Sequence, residues 1–182
     1  MKVTALSLPG VFLLESRVFP DARGFFLTTW NDEQFRREIA DVAFVQDNHS
    51  RSGRGALRGL HYQLQHTQGK LIRCSLGTVW DAVVDVRRSS PTFGHWCGVE
   101  LSDRNHHQLW VPAGFAHGFV VRSDVADLHY KVTDHYDPSS ERALLWNDPA
   151  IGVQWPLEEG VPLLLSPKDA AGIALSEIET LP

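Results

Sequence analysis

Short runs of aromatic and β-branched residues, mixed with polar ones, recur along most of this chain, and turn-forming residues separate them. Lys70–Leu76, Val79–Val86, Trp96–Leu101, Gln108–Val111, Phe119–Val121 and Leu128–Thr133 each predict a strand, with Gly69, Gly77, Pro91, Gly94, Asp103, Pro112 and Gly114 between them. This is the spacing of an all-β sandwich or barrel. A parallel βαβ arrangement would need a helix between successive strands, and these connections are too short and too polar to supply one.

Upstream, Val11–Val18 mixes apolar and polar positions and runs into Phe19-Pro20-Asp21-Ala22-Arg23-Gly24, a turn signal, followed by an aromatic strand over Phe25–Trp30. Asn31 is placed to cap a short helix over Asp32–Ile39. Asp32 and Glu33 fall in its first turn and Arg36 and Arg37 near its end, the polarity that the helix dipole favours. Phe44–Ser50 then leads into a basic stretch, Arg51–Arg54, expected to form a turn. The tail beyond Asp137-Pro138-Ser139-Ser140 carries Trp146, Trp155 and Leu163-Leu164-Leu165, too apolar for a disordered linker, and is expected to pack back on the body. No repeat or linker interrupts the chain, so one domain over residues 1–182 is expected.

Composition narrows the partners. A net charge of −5 and a pI near 6.0 provide no basic footprint for nucleic acid or an anionic membrane, so an anionic ligand must be held by a few local cations. Every apolar segment is cut well short of the roughly 18 to 20 residues that cross a bilayer. Cys74 and Cys97 stand apart without a CxxC or disulfide pattern, and no leader pattern opens the chain, which predicts a cytoplasmic protein.

The densest chemistry lies in Gly55-Ala56-Leu57-Arg58-Gly59-Leu60-His61-Tyr62-Gln63, where a guanidinium and an imidazole sit three residues apart in a β-compatible segment. Further polar candidates at strand ends are Arg23, Gln46, Asn48, Lys70, His117, Tyr130, Glu141, Lys168 and Asp169. Each has a blander reading: surface charge for Arg23, Arg58 and Lys168, core filler for Tyr130, and a carbonyl partner in a tight turn for His117. Nine histidines in a small β protein also raise the question of a metal. A barrel metal site would pair His61 with a histidine two residues on, but that position is Gln63, and the adjacent His106 and His107 would face opposite sides of a strand. No metal and no cofactor are expected.

Five segments together resemble the dTDP-4-dehydrorhamnose 3,5-epimerase family: Phe19–Phe26, Phe44–Ser50, Leu57–Gln63, Gln108–Phe119 and Tyr130–Asp134, in register from about Phe19 to Asp169. The resemblance implies a cupin-type jelly-roll β-barrel with a few short helices and a homodimer with an exchanged N-terminal strand. It also implies metal-free epimerisation of a dTDP-4-keto-6-deoxyhexose, at C3 and C5 or, in related enzymes, at C3 alone. Carried over position by position, His61 matches the base, Asp169 its carboxylate partner, Tyr130 the acid and Lys70 the charge at the ketone oxygen. Arg23, Gln46, Asn48, Arg58 and Lys168 match groups around the diphosphate, Tyr136 the ring on thymine, and His117 and Glu141 further substrate contacts. Thr28 stands where the family usually has a glutamate, and His135 replaces an aromatic beside Tyr136. The chemistry needs these types, because a C–H beside a ketone loses its proton only when base and enolate stabiliser act together.

Overall fold

The computed structural model describes every residue, Met1–Pro182. In chain order the elements are β1 (Lys2–Ala5), β2 (Phe12–Glu15), β3 (Val18–Asp21), β4 (Gly24–Leu27), α1 (Asp32–Glu38), β5 (Gln46–Gly53), β6 (Leu57–Gln63) and β7 (Lys70–Leu76). They continue as β8 (Thr78–Asp85), β9 (Trp96–Ser102), β10 (His107–Val111), β11 (Phe115–Val121), β12 (Val125–Val132), β13 (Glu141–Ala143) and α2 (Pro167–Ala170). A six-stranded sheet has the order β1-β2-β10-β7-β12-β5 and a five-stranded sheet the order β13-β6-β11-β8-β9; β3 and β4 form a separate hairpin. All ladders are antiparallel.

The inner faces of the two sheets meet in one core. Ile72, Leu109 and Leu128 from the first pack with Val79, Val83, Leu101, Phe115 and Val121 from the second, closing a cupin-type jelly roll. The five-stranded sheet is buried on its outer face too, where Leu60, Ala82, Val84, Ala116 and Leu144 are covered by Ile151, Ile178 and Leu181 of the tail. Two buried faces explain why β8 reads as a nearly continuous apolar run instead of alternating. The tail is anchored by parallel bridges, Ala56 to Leu164, Leu144 to Ile173 and Arg87 to Leu181.

Helix α1 lies over the outer face of the six-stranded sheet, its Phe35 ring 5.1 Å from that of Trp110. Its start is set as expected, since the Asn31 side chain accepts from the Gln34 N–H at 2.8 Å. Three local expectations need correction. Arg51 to Gly53 form no turn but continue edge strand β5 against Asp127 to Val125, and Arg51 is held by both oxygens of Asp127 at 2.7 and 2.6 Å. The strand from Phe25 ends at Leu27, because Trp30 turns away to pack on Phe35 and Phe44 at 4.9 and 4.8 Å. The strand expected at Phe119 begins at Phe115, so His117 sits inside a fully buried strand and not in a turn.

Between β6 and β11 the backbones come unusually close. A Cβ on Gly118 would lie 2.6 Å from the Arg58 carbonyl oxygen and 3.0 Å from Gly59 Cα, and one on Gly59, whose φ is +122°, would lie 2.5 Å from Gly118 Cα. Only glycine fits at this crossing. Gly118→Ala is therefore expected to lower stability by about 1–3 kcal/mol, the usual cost of overpacking. Urea unfolding measures it, and an unchanged midpoint would mean that the two strands separate freely.

Candidate active site

A cavity of about 310 Å³ opens between the sheets, lined by Arg58, His61, Lys70, His117, Tyr130, Tyr136, Glu141, Lys168 and Asp169, together with Ser50, Tyr62, Gln63, Gln68, Phe119, Leu128 and Ser166. Strand alternation aims its two central groups. Leu60 and Tyr62 pack outward under the tail, which turns His61 inward, and Leu128 and Tyr130 share the inner face of β12. His61 thus projects from the five-stranded sheet and Tyr130 from the six-stranded one, on opposing walls.

Behind His61 stands a buried carboxylate. His61 Nε2 lies 2.6 Å from Asp169 Oδ1, which also accepts from the Gly59 N–H at 3.2 Å, while Ser166 Oγ donates to Asp169 Oδ2 at 2.6 Å. Burial pushes the Asp169 carboxyl up, but these three donors overcome it and hold the group at about 2. The local sequence builds this. Ser166 caps the one-turn helix α2, accepting from the Asp169 N–H at 3.1 Å, and Pro167 at its first position fixes the backbone. With Nε2 committed to Asp169, Nδ1 is the ring nitrogen free to face the cavity.

The opposite wall carries a donor and a cation. Burial raises the Tyr130 phenol, with Arg58 opposing and Glu141 reinforcing, so it stays protonated near neutral pH. Lys70 on β7 is pushed down to about 8 by burial, against the pull of Asp81 and Glu141, and its Nζ reaches the His61 carbonyl at 3.4 Å. Beneath it, His117 Nε2 lies 2.8 Å from Oδ1 and 2.9 Å from Oδ2 of the fully buried Asp81, bonding along Oδ2 and leaving Oδ1 without a well-aligned donor. Burial drives the Asp81 carboxyl up and His117 and Lys70 pull it back.

At the mouth, Glu141 Oε2 takes both Lys168 Nζ at 2.5 Å and the Tyr136 hydroxyl at 2.7 Å. Burial raises the Glu141 carboxyl, but the hydrogen bonds from Lys168 and Tyr136 overcome it and hold the group below its ordinary value. Gln63 is not a spare amide. Its Nε2 donates to the carbonyls of His66 at 2.7 Å and His135 at 3.3 Å, and its Oε1 accepts from the Asp137 N–H at 3.1 Å, fastening the loop that carries Tyr136 to β6.

Four expected site residues lie outside this cavity. Arg23 sits on the β3–β4 hairpin, paired with Asp21 at 2.7 Å, its side chain 90% exposed. Thr28 lines a separate depression with Arg17, Phe19 and Gln34. Asn48 lies opposite Tyr130 on the β5–β12 ladder and so shares its face of the sheet, but lines a neighbouring depression, and Gln46, two residues along that face, donates to the Asn48 Oδ1 at 2.7 Å. Residues absent from the sequence-based set are Asp81, Ser166 and Gln63. Each had a signal: a carboxylate in the middle of an apolar strand, a Ser-Pro helix start three residues before Asp169, and an amide in the most polar stretch of β6.

A base held by a buried carboxylate, faced by a phenol and an ammonium in a cavity ringed by cations, suits proton transfer beside a carbonyl in an anionic substrate. The chain matches over residues 5–177 the family model described as dTDP-4-dehydrorhamnose 3,5-epimerase. It is 54% identical over 179 residues to the Neisseria gonorrhoeae protein of that name, spanning 98% of this chain but 54% of the longer relative. To the Pseudomonas aeruginosa protein it is 52% identical over 183 residues, covering both chains in full. Its structure matches that of dTDP-6-deoxy-D-glucose-3,5-epimerase from Legionella pneumophila, solved with dTDP-4-keto-L-rhamnose, with a TM-score of 0.95 and 45% identity over 98% of this chain and 94% of that one. The protein belongs to the dTDP-4-dehydrorhamnose 3,5-epimerase family.

Proposed function

We propose that this chain epimerises dTDP-4-dehydro-6-deoxy-D-glucose at C3 and C5, yielding dTDP-4-dehydro-L-rhamnose. The observation that carries the reading is the opposition of His61 on one sheet, backed by Asp169 of α2, to Tyr130 and Lys70 on the other, across a single cavity. His61 removes the proton beside the C4 ketone through Nδ1, and Asp169 stabilises the imidazolium formed. Lys70 places its ammonium at the ketone oxygen and stabilises the enolate. Tyr130 returns a proton from the far face; two groups on opposite faces invert a centre, whereas one group alone restores it. Arg58 and Lys168 neutralise the diphosphate, and Tyr136 stacks on the thymine. His117, held by Asp81, keeps the floor of the cavity polar beneath the sugar. No metal is needed for this chemistry, and the amide of Gln63 is committed to the loop.

The exposed position of Arg23 on its hairpin supports a second copy. Hairpin β3–β4 pairs by backbone only with itself, and leaves Phe19, Phe25 and Phe26 exposed at 46%, 60% and 67%. β1 pairs with β2 of its own chain, so the hairpin is the segment available for exchange. In a homodimer it carries Arg23 to the partner's diphosphate and buries the phenylalanines. The chain acts as one domain over residues 1–182. Two free cysteines and a nucleotide-sugar substrate support a cytoplasmic location, and no helix is long and apolar enough to cross a membrane.

Incubation with the 4-keto sugar in deuterated water tests the chemistry. His61→Asn is expected to lose solvent exchange at C3 and product together, by about 10²- to 10⁴-fold. Tyr130→Phe should keep exchange while product falls; if both rates stayed at the wild-type level, Tyr130 would be packing only. The ammonium of Lys70 sets the alkaline limb. It is charged below about 8 and neutral above, so kcat/KM is expected to fall as pH rises through 8. Lys70→Arg should shift that limb upward, since a guanidinium stays charged; a wild-type profile flat to pH 9.5 would remove Lys70 from the mechanism. For the dimer, Phe25→Asp with Phe26→Asp is expected to give a monomer in sedimentation with dTDP affinity down about tenfold or more, the loss of one charge-assisted contact. A dimer of unchanged affinity would refute the exchange.

A further inference from the structure

The cavity mouth holds its own anion. Lys168 and Tyr136, two groups that the proposed function assigns to the nucleotide diphosphate and base, both bind one oxygen of Glu141, at 2.5 and 2.7 Å. An ammonium and a hydroxyl converging on one carboxylate oxygen is the donor set that a phosphate oxygen would take. Arg58 differs: its Nε donates to the neutral Ser52 Oγ at 3.0 Å and it has no carboxylate partner. One cation of the site is therefore open and the other already neutralised.

We propose that Glu141 is a resident competitor for the diphosphate. It pairs with Lys168 and yields it to a ligand whose phosphate charge outweighs a single carboxylate, so that Glu141 holds down the affinity for the diphosphate. This rests on the nucleotide-sugar reading. The exchange is mechanically easy. Glu141 stands on the three-residue edge strand β13, Lys168 on the one-turn helix α2 with its side chain 46% exposed, and Tyr136 on an exposed loop, so side chains can swing without moving the core. The electrostatics give the exchange its direction. With Lys168 taken by a phosphate, the Glu141 charge lies beside the ligand's and opposes it; without the ligand, the same charge keeps Lys168 paired. A simple substrate contact and a competitor predict opposite signs when the charge is removed.

Glu141→Gln keeps the shape and leaves an acceptor for Tyr136, removing only the charge. The expected result, by calorimetry on the full chain, is dTDP binding tighter by roughly five- to twentyfold, with thymidine, which lacks phosphate, changed less than twofold. In a Lys168→Met background the same substitution should give a clearly smaller gain, since only the direct repulsion is then relieved. Weaker or unchanged dTDP binding would overturn the proposal, and so would equal tightening with and without Lys168, which would make Glu141 a general repelling charge. Glu141→Ala provides the same comparison if the amide variant folds poorly. Wild-type protein that failed to bind dTDP at all would instead sink the nucleotide reading, a distinct outcome from binding that is blind to residue 141.

Discussion

The buried carboxylate of Asp169 is the constraint around which the site is built. Removing such a group from water is costly unless it is hydrogen-bonded on several sides, and here three donors from two parts of the chain do so: a backbone N–H of β6, the imidazole two residues on and the serine that caps α2. The arrangement ties the C-terminal tail to the five-stranded sheet at the point of chemistry. It also has a pH signature. With the carboxyl held at about 2 against 3.8 in the unfolded chain, its contribution to stability is present above about pH 4 and is lost as pH falls toward 2.

From that fixed point the barrel does the rest by geometry. Antiparallel alternation turns His61 inward because its neighbours Leu60 and Tyr62 are needed outside to hold the tail, and Tyr130 inward because it follows Leu128 by two. Two sheets facing one another then present an imidazole and a phenol from opposite sides without any special loop. The close passage of Gly59 and Gly118 sets His61 and His117 side by side on adjacent strands. Proton transfer in a fixed geometry needs rigid walls, and strands buried on both faces supply them.

Charge is distributed with the same economy. A chain of net charge −5 concentrates Arg58, Lys70 and Lys168 in one cavity and balances them locally with Glu141, Asp169 and Asp81. Burial acts on Lys70 in particular, which it pushes down to about 8 against the pull of Asp81 and Glu141.

The sequence by itself determined the class of fold and proposed site residues, several of which the structure gathers in one cavity. Short β-rich runs between turn residues specify antiparallel strands because side-chain period and turn chemistry are local properties, and the capped helix after Asn31 follows from the same kind of rule. The segments around His61, His117 and Tyr130 carried a family resemblance that named candidate residues before any coordinates. Tertiary structure decided what depends on distant partners. Arg51–Gly53 became strand because β12 offered a ladder and Asp127 an ion pair, against a local turn signal. Asp81, Ser166 and Gln63 acquired roles only through His117, Asp169 and the Tyr136 loop, and Arg23 and Thr28 were left outside the cavity of their own chain. The site's pairings join residues up to 110 positions apart, a separation across which no local pattern carries information, so burial and convergence could be seen only once the chain had closed on itself.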